Sequence, residues 1–131
     1  MANRSADWLR QAEADRDHAR SSLEGGDYDW SCFASQQAAE KAVKAVYLHM
    51  GLEVWGHTVS VLLGTLEGRV AVPRGLIDRA KMLDKHYIPT RYPNGFDSGA
   101  PTDFYTEKEA REAVDAADSI IGFCADTLNR S

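Results

Sequence analysis

The chain has 131 residues, 44% of them apolar and 27% charged, and its 20 acidic and 15 basic side chains give a net charge of −5. This length holds one domain with a real core, read as spanning 1–131, and the composition is that of an ordinary globule and excludes wholesale disorder. The acidic balance excludes a general polyanion binder, because the field of the whole protein would repel phosphate backbones, but it leaves room for a local basic patch.

The two cysteines, Cys32 and Cys124, come without a CxxC or a Cys/His cluster, which argues against a disulfide framework and a structural zinc site. Both fall on apolar helical stripes and are read as reduced core residues. With no run of 18 apolar residues and no charged-then-apolar leader, the expectation is a cytoplasmic protein with no membrane span, no metal and no cofactor.

Trp8, Ala12, Ala19 and Leu23 return to one face and predict a first helix over about Ser5 to Glu24. Ser5 is its candidate N-cap, Asp7 suits the positive end of the helix dipole, and Gly25-Gly26 supplies the stop. The turn that follows is so short that the second helix must run back alongside the first.

That second segment, Trp30 to Gly51, carries two apolar stripes, one through Cys32, Ala39, Val43, Val46 and Met50 and one through Ala34, Ala38, Ala42, Ala45 and Leu48. A helix with two apolar sides is packed on both, so it belongs at the centre of a bundle, with one side expected to meet a second copy of the chain. Gln36, Gln37, Glu40, Lys41 and Lys44 are read as a solvated or interfacial rim or, alternatively, as ligand contacts.

Leu52 to Thr58 reads as a loop covering the bundle end. His57 and Thr58 open a short helix through Val59, Leu62, Leu63 and Leu66, and His57 is either a helix-start residue bonding backbone or a ligand contact. Pro73 suits the first turn of a fourth helix, to about His86, that buries Leu76, Ile77, Ala80 and Leu83. The stretch from Pro89 to Tyr105 is the least regular, with three of the four prolines beside Tyr92, Phe96, Phe104 and Tyr105, and its rings predict a packed loop. Thr106 then starts the last helix with a capping box to Glu109, and Ala110, Val114, Ala117, Ile121, Cys124 and Leu128 form its stripe. Five helices without a convincing strand predict an all-α, antiparallel up-and-down four-helix bundle with an additional short helix.

No P-loop, HExxH, GxSxG or dinucleotide fingerprint is present. Chemically capable groups cluster between Arg79 and Tyr92: Arg79, Lys81, Asp84, Lys85, His86, Tyr87, Arg91 and Tyr92. Guanidinium binds phosphate in a fork and tyrosine rings stack on bases, so a nucleotide or an RNA phosphate is the natural ligand, with Arg91, Tyr92, Tyr87, Lys85 and His57 as its contacts. In the competing reading, Arg91 pairs with Asp84 or an acid of the last helix and only pins the loop.

Three ordered stretches, DWLRQAEADRDHARSSL, QQAAEKAVKA and LDKHYIPTRYP, resemble the HEPN domain family, small helical domains of prokaryotes also found in the eukaryotic protein sacsin. The resemblance covers essentially the whole chain. It implies a four-helix core with an extra short helix, a homodimer, and a minimal nucleotidyltransferase partner in a toxin–antitoxin-like module. Some members of the family are metal-independent ribonucleases marked by arginine, four to six residues, then histidine; Arg79 and His86 match that spacing. The implied mechanism has the histidine act on a ribose hydroxyl and the arginine stabilise charge on the phosphorus centre. A third alternative is a purely structural dimerisation module.

Overall fold

The computed structural model of the chain describes residues 3–130; residues 1, 2 and 131, at the ends of the predicted domain, lie outside the described residues. The helices are α1 (Ser5–Gly25), α2 (Tyr28–His49), α3 (Val59–Leu66), α4 (Arg74–Asp84), α5 (Pro101–Phe104) and α6 (Glu107–Asn129), and no strand occurs among the described residues. The all-α expectation therefore holds, with the one-turn helix α5 and a 3₁₀ turn at Pro93–Gly95 added inside the predicted packed loop.

Helix α1 ends as the glycines require: Gly26 takes a left-handed φ of 83°, and the N–H groups of Gly26 and Asp27 turn back to the carbonyls of Leu23 and Ser22. Its start corrects the expectation for Ser5, which is the first helical residue. The Oδ1 of Asn3 accepts the Ser5 N–H at 2.8 Å, two residues earlier than the predicted cap. The tight turn sends α2 back along α1, where Lys41 meets Asp15 and Ser31 Oγ donates to the Ala19 carbonyl at 2.8 Å. Helix α6 opens with the predicted capping box, Thr106 Oγ1 accepting from the Glu109 N–H at 3.1 Å.

Helix α2 is the axis. Cys32, Ala39, Val43 and Val46 on one stripe and Ala38, Ala42 and Ala45 on the other have no accessible surface. Small side chains let α1 and α6 approach its backbone, while Leu63, Leu66, Leu83 and Ile120 fill the remaining core. Both sides of α2 are thus covered by the chain's own helices. This overturns the expectation that one of them is left for a second copy: α1 and α6 pack along α2, and α3 and α4 add to the cover. Burial also pushes the Cys32 thiol up to about 12 and the Cys124 thiol higher still, so both are core residues with little thiolate character.

Helix α4 stops at Asp84, short of the predicted end at His86, and Pro73 is its cap rather than its first residue. The Asp84 carboxylate crosses to the start of α3, accepting from the N–H groups of Val59 at 2.6 Å and Ser60 at 3.3 Å and from the Ser60 hydroxyl. It thereby satisfies donors that Thr58 leaves free, and fixes the end of α4 against the start of α3.

Candidate functional site

The turn from Lys85 to Tyr92 lies beside the first two turns of α2 and the His57 loop. Thr90, almost fully buried, ties the turn shut by donating to the His86 carbonyl at 2.6 Å. That closure sets Arg91 among rings, with its Cζ 4.4 Å from the ring centre of Phe33, 4.8 Å from Tyr87 and 5.2 Å from Tyr92. Its Nε and Nη2 both donate to the Tyr87 carbonyl, at 3.0 and 2.7 Å. Among the described residues no carboxylate pairs with it, and Asp84, the partner proposed in the competing reading, is held by α3 instead. A guanidinium on aromatic faces is oriented without being neutralised, and part of its fork stays available to an anion.

The rings continue outward. Trp30 meets Phe33 edge-on at 6.1 Å, and His57 stacks on Tyr87 at 4.5 Å with 17° between planes. A cleft of about 440 Å³ opens beside this stack, lined by His57, Thr58, Asp84, Lys85, Tyr87 and Pro89 among others. The structure therefore brings together five predicted ligand contacts, Arg91, Tyr92, Tyr87, Lys85 and His57. It adds Phe33 and Trp30, which sequence reasoning left inside the α2 pattern; the signal was Phe33, a large ring on the side of α2 that carries Gln36, Glu40 and Lys44 and neither apolar stripe.

His57 binds through both of its parts. Its carbonyl accepts from Gln36 Nε2 at 3.0 Å, and its Nδ1 lies 3.1 and 3.2 Å from the two oxygens of Glu40. Gln36 is fully buried and Glu40 nearly so, which corrects their reading as rim residues. Glu40 also accepts from Gln36 Nε2 at 3.2 Å and Lys44 Nζ at 3.0 Å, so the buried carboxylate is compensated on several sides.

Among the described residues no hydrogen bond or ring contact links Arg79 to His86. Arg79 is exposed and reaches across to α6, donating to the Ser119 hydroxyl and to the Asp115 carbonyl. His86 lies past the end of α4, where only 7% of it is accessible, its ring edge-on to Tyr105 at 5.6 Å and its Nδ1 without a hydrogen-bond partner among the described residues. Burial holds its pKa below the ordinary imidazole value, Glu109 opposing and Lys85 reinforcing the shift.

Among the described residues, no group of three or more histidines, cysteines, aspartates and glutamates could hold a metal ion, and no helix is long and apolar enough to cross a membrane.

Comparison with known proteins places this geometry. The crystal structure of TT1696 from Thermus thermophilus superposes with a TM-score of 0.93 at 48% identity, covering 96% of this chain and 99% of the other. An archaeal HEPN homologue, ST0689, gives a TM-score of 0.82 at 39% identity over 97% of this chain and 99% of its own. Among curated proteins, Putative toxin MJ1304 of Methanocaldococcus jannaschii is 28% identical over 92% of this chain and 86% of its own length. The sequence model of the HEPN domain matches residues 5–127, nearly the whole helical assembly, and the chain belongs to the HEPN domain family.

Proposed function

We propose that this chain is a single-domain, cytoplasmic HEPN protein that binds a nucleotide or an RNA phosphate through Arg91. In this reading it forms a homodimer and works with a minimal nucleotidyltransferase in a toxin–antitoxin-like module. The observation that carries the proposal is the Arg91 guanidinium, held on three aromatic rings and paired with no acid among the described residues. Had the arginine served only to pin the loop, a carboxylate partner would be expected at this partly buried position. The module context is supported by the relative whose name is that of a toxin. Tyr87 and Tyr92 offer ring faces to a base, and Lys85 adds an exposed positive charge at the cleft.

The test is a titration of AMP and a short 5′-phosphorylated RNA against wild type and Arg91→Ala. The expected result is at least a tenfold loss of affinity in the variant with an unchanged fold by circular dichroism. Equal affinities would remove Arg91 from the site.

The second reading, metal-independent RNA cleavage by Arg79 and His86, has one supporting observation: an imidazole whose pKa burial holds low and whose Nδ1 is unpartnered among the described residues. It requires substrate to reach a side chain that this protomer almost completely covers. Cleavage by wild type in EDTA, lost in His86→Ala, is the result it needs.

A further inference from the structure

Glu40 and His57 are joined by a geometry that the phosphate reading does not use. A carboxylate oxygen can only accept, so the imidazole nitrogen 3.1 Å from Glu40 Oε1 must carry the hydrogen. Lys44 and Gln36, both donating to Glu40, keep it in the accepting role. When Nδ1 carries the ring's single hydrogen, the lone pair lies at Nε2, for which the structure gives no protein partner among the described residues. The ring cannot swing away easily: it stacks on Tyr87 and its backbone carbonyl is held by the buried Gln36. The side chain is nevertheless half exposed and lines the cleft.

The geometry points to His57 Nε2 as a hydrogen-bond acceptor that reads a neutral donor of the ligand, a sugar hydroxyl or an exocyclic amino group, with Glu40 as the residue that positions it. This inference rests on the nucleotide-binding reading. The imidazole and the Arg91 guanidinium lie 4.5 and 4.8 Å from the same Tyr87 ring centre, so at most the sum of those two distances separates them, a span a mononucleotide can bridge. A phosphate held at Arg91 would then bring a nucleoside donor towards His57. An acceptor lacking its donor is left unsatisfied, which is how a site built on hydrogen bonds rejects an analogue missing one group.

The experiment uses the full chain and four probes: AMP, its 2′-deoxy form, its 3′-deoxy form, and the purine ribonucleotide without the amino group. Wild type should bind one analogue about tenfold more weakly than AMP, and which analogue it is separates the sugar from the base as the donor. Glu40→Gln, whose amide can donate to Nδ1, should erase that discrimination. His57→Phe, which keeps a ring on Tyr87 and changes an exposed position, should erase it too and decides the matter if Glu40→Gln proves unstable.

Nitrogen-15 shifts of His57 give a readout independent of any ligand: hydrogen on Nδ1 in wild type, moved towards Nε2 in Glu40→Gln. A wild-type hydrogen on Nε2, no discrimination among the probes, or discrimination that persists in His57→Phe would each overturn the inference. If AMP binding depends on Arg91 while these results fail, only the His57 assignment falls. If wild type binds none of the probes, the nucleotide reading falls and takes this one with it.

Discussion

The arginines of the α1–α6 wall and the arginine of the Lys85–Tyr92 corner are the same side chain in opposite circumstances. Arg16 and Arg20 both reach Asp118, and each has Asp17 as a second acid. Arg91 has three rings and a carbonyl. The wall neutralises its cations internally, whereas the corner orients one and leaves its charge unmatched. A count of basic residues cannot separate the two; the identity of the neighbour can, because a carboxylate consumes the fork that a ring only supports.

The contrast can be broken first at its foundations. Leu83 lies fully buried near the corner and Ile120 fully buried in α6, and truncating either to alanine should cost about 2–5 kcal/mol in denaturant unfolding. At temperatures where both variants remain folded, Leu83→Ala should weaken AMP binding and Ile120→Ala should not. Equal binding defects would mean that the corner has no independence from the wall.

A smaller effect separates the arginines directly. Arg91→Lys retains charge but loses the planar stack and the fork, and should recover less than half of the roughly 1.4 kcal/mol that a tenfold loss represents. Arg16→Ala should leave binding untouched. Full recovery by lysine would make the rings irrelevant to the site.

His86 sharpens the comparison through pH. Because its folded pKa lies below the unfolded value of about 6.5, the unfolded chain binds the extra proton first, and stability falls as pH drops through that value. His86→Phe should flatten the melting temperature between pH 7.5 and 5.5, whereas alanine at Arg20 should leave that slope as it is. The smallest effect belongs to the wall: Arg20→Ala should cost less than about 1 kcal/mol, shrinking further in high salt, since its pair with Asp118 is largely exposed.

Much of the scaffold was legible because it depends on local rules. The Gly25-Gly26 stop, the Thr106 capping box and the double stripe of α2 each follow from residues within a few positions of one another. Ser5 was misplaced as a cap because the chain is already helical there, with Arg4 at the cap position and the Asn3 side chain taking the Ser5 N–H. Gln36 and Glu40 were misread because polar residues in a helix normally face water; here the His57 loop folds over them and supplies a carbonyl and an imidazole.

The sequence by itself determined the five longer helices, the return of α2 along α1, the two-sided burial of α2 and the basic, aromatic character of Lys85 to Tyr92, since periodicity, caps and composition act over short stretches of chain. Only the tertiary structure decided that Phe33 joins that corner, that Asp84 serves α3 and so leaves Arg91 to the rings, and that Glu40 orients His57 while His86 turns inward. Each of those outcomes depends on which groups from distant segments arrive within about 3–5 Å of one another, the range over which a hydrogen bond or a cation–ring contact acts.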